Sequence, residues 1–179
     1  MAKVKQVLDI MRQFAPEEYK YSLDYDNIGL MVGNEDDIVK GVLCCLDCSL
    51  QVLNEAVEKN CNLVISHHPF IFSAIKNINY DDVLGKKIAF AIEHNINIYS
   101  AHTNLDFTTG GINDYCANLV GIKNALPLIK YYDDIGLGRI GMLDIPVTPI
   151  KIKSKLEKLF EDKYIQIIGN SDKIGRAHV

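Results

Sequence analysis

The sequence predicts an α/β fold, with a mostly parallel or mixed sheet covered by helices. Three observations lead to this fold class. Short apolar runs alternate along the chain with segments of helical periodicity, an order typical of parallel sheets. Two of these runs, 62–66 and 96–99, are each followed by polar residues where a strand would end. The composition, 48% hydrophobic and 23% charged over 179 residues, is that of a globular chain that can bury a core.

The helices are predicted from apolar residues that recur every three or four positions and from capping residues. Ser49 caps one helix, and Thr148 followed by Pro149 is a cap and first-turn pair for another. The predicted helices cover about 4–14, 50–59, 82–93, 112–120 and 149–159.

The strands are predicted from runs rich in β-branched residues that are bounded by turn residues such as Gly33 and Asn34. The predicted strands cover about 28–32, 38–46, 62–66, 96–99, 137–145 and 164–168. We expect residues 1–170 to form a single α/β domain. Residues 174–179 resemble the translation of a sequencing adapter. We therefore interpret residues 171–179 as a non-native tail, which genomic sequence through this region would test.

Charge and cysteine usage narrow the classes of function. A net charge of −4 gives no strong nucleic-acid signal, because such binding needs clustered Lys and Arg. No apolar run approaches the length of a membrane span, and residues 1–14 do not have the pattern of a signal peptide. Five cysteines, an odd count, favour reduced thiols and a cytoplasmic location.

Histidines and an aspartate follow two neighbouring predicted strands. His67 and His68 come directly after the run 62–66, and His102 and Asp106 follow 96–99. Ligands of open α/β sheets bind in a cleft at the carboxyl ends of the strands. Imidazole and carboxylate groups bind Zn, Mn, Fe or Ni, which the sequence does not distinguish. We therefore predict a metal cleft with more than one ion, against the alternative that these histidines only cap strand ends.

His67, His68 and Asp106 are the predicted metal ligands. Adjacent residues on an extended segment point to opposite sides, so the two histidines could hold separate ions that Asp106 bridges. His102 is either a further ligand or a group that orients Asp106. Asp47, which follows another strand, either supports the site or caps the next helix.

Other polar residues have simpler interpretations. His94 is expected to cap or complement the end of a helix. Cys44, Cys45 and Cys48 include a Cys-x-x-Cys spacing, but no second pair follows at zinc-ribbon spacing, which favours buried thiols acting as small hydrophobic groups. The glycine run 136–141 leads into a strand and not into a helix, which favours turn and close-packing roles over dinucleotide binding.

Several segments, taken together, resemble one known family. They are Asp26-Asn27-Ile28-Gly29-Leu30-Met31-Val32-Gly33, Ser66-His67-His68-Pro69-Phe70-Ile71-Phe72, Ala101-His102-Thr103-Asn104-Leu105-Asp106, Gly110-Gly111-Ile112-Asn113-Asp114 and Gly136-Leu137-Gly138-Arg139-Ile140-Gly141. In this order they resemble the GTP cyclohydrolase 1 type 2 family of dinuclear metal proteins, also described as Ngg-interacting-factor-like. The resemblance covers most of residues 1–170.

The resemblance implies a toroidal homohexamer with two divalent ions per subunit. His67 and His68 would each bind an ion, and Asp106 would complete the set of ligands. The implied reaction is hydrolytic opening of the purine ring of GTP by metal-activated water, with His102 as a candidate catalytic acid–base group. The family also uses a His and a Glu from a C-terminal segment that this sequence does not reach, so we expect a truncated chain with weakened metal affinity and little activity.

Two alternatives stay open at this stage. A dinuclear site suits phosphoester hydrolysis equally well. A metal-binding regulatory or scaffold protein without turnover would carry the same ligands.

Overall fold

Helices and strands alternate along the chain as the sequence predicted. The structure, a computed structural model, describes residues 1–19, 26–132, 134–169 and 177–178, with only the backbone of Tyr132 and of 177–178. These residues form two compact units, 1–108 and 109–179, which we describe separately. The predicted limits of a single domain over residues 1–170 stay a prediction, and most of the predicted tail lies outside the described residues.

The first unit contains a four-stranded sheet in the order β1-β4-β3-β2. Strands β2, β3 and β4 are parallel, whereas β1 runs antiparallel to β4. The predicted α/β fold class with a mixed sheet is therefore confirmed. The elements are α1 (Val4–Phe14), β1 (Gly29–Val32), β2 (Val42–Cys45), α2 (Leu50–Glu58), β3 (Leu63–Ser66), α3 (Val83–Glu93), β4 (Asn97–Ser100) and α4 (Thr103–Phe107).

The core of the first unit lies on both faces of this sheet. One cluster packs α2 and α3 against the sheet around Leu53, Val64 and Ile98. The other packs α1 around Leu8 and Tyr99, both fully buried. Strands buried on both faces read as continuous apolar runs, which explains why β3 and β4 were recognisable in the sequence.

Side-chain caps fix where two of these helices begin. Ser49 Oγ accepts a hydrogen bond from the Val52 amide at 3.3 Å, as the sequence predicted for α2. Asp82 Oδ1 accepts from the Gly85 amide at 2.6 Å at the start of α3. These caps satisfy amides that have no partner within the helix, and so they set the first turn.

The second unit is built on an antiparallel sheet in the order β5-β6-β7. Its elements are α5 (Ile112–Val120), β5 (Ile122–Tyr132), β6 (Ile135–Leu143), α6 (Pro149–Leu159) and β7 (Ala177–His178). Thr148 Oγ1 accepts from the Lys151 amide, so the predicted cap of α6 is confirmed.

Two strand predictions in this unit were wrong. Strand β5 was not predicted, because Pro127 interrupts its apolar pattern. A proline is tolerated within β5 because β5 is an edge strand of its sheet. Residues 164–168 do not form a strand, and Tyr164 and Ile168 are 89% and 95% exposed. Their β-branched composition favoured a strand, but they have no neighbouring strand to pair with among the described residues.

A buried ion pair joins α5 to β6. Arg139 is 1% exposed, and both Nε and Nη2 donate to the carboxylate of Asp114, the latter at 2.9 Å. Arg139 Nη1 also donates to the carbonyl oxygens of Gly136 and Gly138. A Cβ on Gly136 would lie 2.1 Å from the Ile129 carbonyl oxygen, so the predicted close-packing role of this glycine run is confirmed.

No helix among the described residues is both long and apolar enough to cross a membrane.

Candidate metal centre

The predicted site residues of the first unit meet at one end of its sheet. His67 and His68 follow β3, His102 follows β4 and precedes α4, and Asp47 follows β2. Asp106 is on α4, four residues after its N-cap His102. Residues four apart lie on the same side of a helix, so the two side chains are on the same side of α4. The carboxyl ends of the parallel strands therefore bring these side chains together, as the sequence predicted.

Backbone hydrogen bonds continue the parallel ladders beyond the ends of the strands and fix the two adjacent histidines. The His67 amide donates to the Cys45 carbonyl oxygen at 3.0 Å, and the His68 amide donates to that of Leu46 at 2.9 Å. Ser66 Oγ donates to the His68 carbonyl oxygen at 2.9 Å. The backbone of this pair is therefore held rigidly against the loop that follows β2.

Each imidazole of this pair is also anchored through Nδ1. His67 Nδ1 lies 3.0 Å from the Ala101 carbonyl oxygen, and His68 Nδ1 lies 2.8 Å from Asp47 Oδ1. In these pairs the carbonyl or carboxylate oxygen accepts, so Nδ1 is the donor, and in the neutral tautomer that this selects Nε2 is the free acceptor or ligand atom. Asp47 therefore orients His68, while the cap of α2 is supplied by Ser49; of the two roles considered for Asp47, the structure favours support of the site.

A buried carboxylate anchors the third histidine. His102 Nδ1 lies 2.6 Å from Asp26 Oδ1, and the Thr103 hydroxyl donates to the other oxygen of the same carboxylate. The Asp26 side chain is only 5% exposed and that of His102 21% exposed. The Asp26 carboxylate thus fixes both the orientation of His102 and its Nδ1–H tautomer.

The three imidazoles lie close together. Their ring centroids are 5.2 Å apart for His67 and His68, 5.6 Å for His67 and His102, and 6.1 Å for His68 and His102. The Phe72 ring lies edge-on to His102, with the centroids 6.3 Å apart. The cluster therefore combines nitrogen donors with an aromatic neighbour.

Asp106 supplies a carboxylate beside this cluster. Burial raises the pKa of Asp106 above its usual value, and the nearby His67 and His102 oppose that rise. Asp26 acts in the same direction as burial, because two carboxylates in one region repel each other. A cation placed among these groups would favour the ionised form of Asp106.

The donor set fits a divalent metal in chemistry and in orientation. Among the described residues, the Nε2 atoms of His67, His68 and His102 have no hydrogen-bond partner, and their Nδ1 atoms have the carbonyl and carboxylate partners that orient metal-binding histidines. The described part of the chain nevertheless contains no group of three or more His, Cys, Asp or Glu side chains already placed to hold an ion. The fit therefore concerns donor type and orientation and not preformed coordination distances.

Two further sequence interpretations can be compared with the structure. His94 is the C-terminal cap of α3, where its Nδ1 lies 2.9 Å from the Phe90 carbonyl oxygen, so its helix-end role is confirmed. Among the cysteines predicted to be buried thiols, Cys48 is buried, but the prediction was wrong for Cys44, which is exposed because it lies on the outward face of the edge strand β2. A hydrogen bond between the thiols of Cys45 and Cys48 lowers the pKa of Cys45 and raises that of Cys48.

Sequence reasoning missed the role of Asp26. The polar residues before β1 suit a turn or the mouth of a cleft, and nothing in them indicates a partner for His102. Because β1 is antiparallel to β4, with Gly29 opposite Ser100, the residues before β1 lie beside the carboxyl end of β4. An acidic residue just before an edge strand is the signal that could have identified Asp26.

A match to a family model identifies the family of this chain. The family model described as Duf34/NIF3 (NGG1p interacting factor 3) matches residues 2–177. The chain belongs to the DUF34/NIF3 family. The resemblance predicted from the sequence is thereby confirmed.

Relatives of this NIF3-family chain include a protein named "GTP cyclohydrolase 1 type 2 homolog" from Clostridium acetobutylicum. It is 40% identical over 174 residues, which are 96% of this chain and 64% of the relative's length. The chain thus spans less than two thirds of that relative.

Solved structures show the same fold. A hypothetical protein of Staphylococcus aureus superposes with a TM-score of 0.86 at 27% identity, covering 98% of this chain and 69% of that chain. A structure of reduced HcgD from Methanocaldococcus jannaschii gives a TM-score of 0.75 at 35% identity, covering 88% and 60%.

Proposed function

We propose that this NIF3-family chain is part of a divalent-metal-dependent hydrolase that acts in the cytoplasm, with the histidine cluster as its metal centre. The observation that carries the proposal is the anchoring of all three imidazoles through Nδ1, which leaves three Nε2 donors beside the Asp106 carboxylate. Histidines that serve only as strand caps do not need a common orientation of this kind. Metal-binding histidines do need it, because the partner on one ring nitrogen sets the direction and basicity of the other.

His67, His68 and Asp106 would hold two divalent ions. Bound divalent ions supply Lewis acidity and lower the pKa of water towards neutrality. Asp47 and the Ala101 carbonyl oxygen orient the two imidazoles and leave their Nε2 atoms as the donors for an ion. The raised pKa of Asp106 reflects burial that a bound cation would offset.

His102 is the candidate acid–base group. Asp26 holds its Nδ1–H and favours the tautomer in which Nε2 accepts a proton. After accepting that proton, the imidazolium would be stabilised by the buried Asp26 carboxylate, because opposite charges interact strongly away from water. His102 could then return the proton to a leaving group.

The name of the Clostridium acetobutylicum relative supports GTP as the first substrate to test. The proposed reaction is hydrolytic opening of the guanine imidazole ring, and the proposed assembly is a homohexamer. Two outcomes would replace the proposed ring opening of GTP. They are phosphoester hydrolysis and a regulatory or scaffold role without turnover.

Metal binding is the first test, because it precedes any assay of turnover. We would titrate the metal-free chain with Zn²⁺ and with Mn²⁺ by calorimetry, and compare it with His67→Ala and Asp47→Asn. We expect His67→Ala to abolish the tightest binding and Asp47→Asn to weaken it by about 10- to 100-fold, since it removes an orienting partner. His94→Ala is the matched control, because it removes an imidazole far from the cluster. Equal binding by the wild-type, His67→Ala and His94→Ala chains would refute the metal centre.

Turnover is the second test. The metal-loaded chain and a full-length relative would be incubated with GTP and with generic phosphodiesters. Ring opening of GTP that is lost in His102→Gln supports the proposed reaction. Cleavage of phosphodiesters alone would favour a phosphoester hydrolase, and tight metal binding without turnover by either protein would favour the regulatory role.

A further inference from the structure

The loop that follows the two adjacent histidines is tied by hydrogen bonds to β4 and to the segment before β1. The Phe70 amide donates to Ser100 Oγ at 3.2 Å, and the Ile71 carbonyl oxygen accepts from Asn27 Nδ2 at 2.6 Å. Ser100 is the last residue of β4, and Asn27 lies two residues before β1. The backbone is therefore held in place up to the residue that precedes Phe72.

Two phenylalanines of this loop have opposite surroundings. Phe70 is 4% exposed and belongs to the core cluster that contains α2 and α3, whereas Phe72 is 57% exposed. The backbone bends at residues 70 and 71, which allows the second ring to leave the core. Exposure by itself assigns no role to Phe72, because single apolar side chains are common on protein surfaces. The neighbour of the ring is more informative.

The Phe72 ring lies beside the histidine cluster. Its centroid is 6.3 Å from that of the His102 imidazole, and the two ring planes are inclined at 85°. At this angle the imidazole does not stack on a face of the phenyl ring. Within the part of the chain that the structure describes, no other aromatic ring contacts Phe72. An open phenyl face is therefore available next to the candidate acid–base group.

One residue helps to position both rings. Ser100 Oγ accepts the Phe70 amide, two residues before Phe72, and His102 follows Ser100 by two residues along the chain. The end of β4 thus supports the loop on one side and the imidazole on the other. A ligand ring that stacks on Phe72 would have a defined place relative to His102.

A phenyl ring recognises planar ligands by their π systems. Aromatic rings prefer offset or edge-on arrangements with centroids about 4.5–7 Å apart. Stacking of a base on an aromatic side chain tolerates any base, because every base has a π face. Phenylalanine carries no hydrogen-bonding group that would choose among bases. A phosphoester without an aromatic ring gains nothing from such a contact.

We propose that Phe72 is the stacking residue for a planar heteroaromatic ring of the substrate, which it holds beside His102. The inference rests on the proposed function, because it places this ring at the proposed metal centre. It deepens that function by assigning to one side chain the selection of ring-containing substrates over simple phosphoesters.

The first experiment compares a ligand that has a base with one that lacks it. GMP is the probe, and ribose 5-phosphate is the matched ligand with the same sugar and phosphate. Dissociation constants are measured by NMR titration of the metal-free and the Zn²⁺-loaded chain. We expect GMP to bind about tenfold more tightly than ribose 5-phosphate, the order expected for one stacked base. The H8 resonance of bound GMP should move upfield, because it lies over an aromatic ring.

Variants of the ring test whether Phe72 is responsible. Phe72→Leu keeps an apolar side chain and removes the π face, so we expect GMP to bind about tenfold more weakly and ribose 5-phosphate to bind as before. Phe72→Tyr keeps the ring and should bind GMP like the wild type. Because the side chain is 57% exposed, both variants should fold, which circular dichroism checks.

Tyr80→Leu is the matched control. Tyr80 is an aromatic residue of the same loop and is 65% exposed, and among the described residues no ring contact joins it to the histidine cluster. We expect its removal to leave the affinity for GMP unchanged.

Several results would overturn the proposal. One is a wild-type chain that binds GMP no better than ribose 5-phosphate. Another is an affinity for GMP that Phe72→Leu leaves unchanged, or that Tyr80→Leu lowers as much. Equal weakening of both ligands by Phe72→Leu would show a general disturbance of the site. A changed mass of the Phe72→Leu assembly in light scattering would assign the ring to a contact between chains.

Affinity for Zn²⁺ separates failure of this contact from failure of the proposed function. Calorimetry should give the same Zn²⁺ affinity for the wild type and Phe72→Leu, because a phenyl ring is not a metal ligand. If neither chain binds Zn²⁺ while GMP binding to the metal-free chain still depends on Phe72, the proposed metal centre fails and the stacking contact stands. If Zn²⁺ binds and the affinity for GMP does not depend on Phe72, the stacking contact is overturned and the metal centre stands.

Discussion

Removal of the carboxylate that pairs with Arg139 should strongly destabilise the second unit. Arg139 is 1% exposed, so Asp114→Ala would leave a buried guanidinium without the two-pronged carboxylate contact. Breaking a buried pair by removing one partner costs about 3–5 kcal/mol. Because the Asp114 side chain is 20% exposed and water can enter, we expect the lower end, about 3 kcal/mol.

The assay is urea unfolding followed by far-ultraviolet circular dichroism. With a slope of about 2 kcal/mol per molar urea, a loss of about 3 kcal/mol lowers the midpoint by roughly 1.5 M. Glu157→Gln is the control, because it breaks the half-buried i,i+4 pair with Lys153 on α6. That change should cost only about 0.5 kcal/mol.

A double variant separates the unpaired charge from lost packing. Asp114→Leu combined with Arg139→Met removes both charges and keeps the volume of the arginine stem. If an uncompensated buried charge is the cause, this double variant will be more stable than Asp114→Ala. A double variant as unstable as Asp114→Ala, or a loss below about 1 kcal/mol in Asp114→Ala itself, would refute the reasoning.

Three further predictions concern stability. The hydrogen bond from Arg139 lowers the pKa of Asp114 in the folded chain. The ionised Asp114 therefore stabilises the fold fully above its pKa in the unfolded chain, about 3.9, and this contribution is lost as pH falls through its lower pKa in the folded chain. Acid titration of unfolding should show this loss in the wild type and not in Asp114→Asn. Leu8→Ala should cost about 2–5 kcal/mol, measured by urea unfolding, because Leu8 is fully buried and its removal leaves a cavity. Gly136→Ala should lower the thermal midpoint, because its Cβ would lie 2.1 Å from the Ile129 carbonyl oxygen; an unchanged midpoint would show that β5 gives way freely.

The predictable parts of the fold were those with local signals. Ser49 and Thr148 each supply a hydroxyl that caps the next helix, and apolar spacing identified the buried faces. These features depend on neighbours within one helical turn, so a single sequence contains them.

The unpredicted parts depend on pairing between distant residues. Nothing near β1 indicates that it runs antiparallel to β4, and this pairing alone brings Asp26 to His102. Likewise β5, which contains Pro127, is a strand because β6 pairs with it. Residues 164–168 have a strand-like composition but pair with no strand in the part of the chain that the structure describes. Strand propensity reflects packing against neighbours more than an intrinsic backbone preference.

The candidate site contains features of both kinds, some with local signals in the sequence and some that depend on pairing between distant residues. His67, His68, His102 and Asp106 were predicted to lie together because carboxyl ends of parallel strands share one edge, and the structure places them there. Their role as metal ligands stays a prediction. Of the Nδ1 partners, only Asp47 was considered from the sequence as support for the site. The partners of His67 and His102 were not predicted, because one is a backbone carbonyl oxygen and the other precedes an antiparallel strand.

The anchors of the three imidazoles also bear on how the chain folds. They join residues 34, 21 and 76 positions apart, so each forms only after a long loop has closed. Loop closure opposes such contacts until the sheet that supports them exists. Metal uptake should therefore follow folding of the first unit instead of nucleating it. All of these groups lie between Asp26 and Asp106, so the cluster can assemble on the ribosome before the second unit is synthesised.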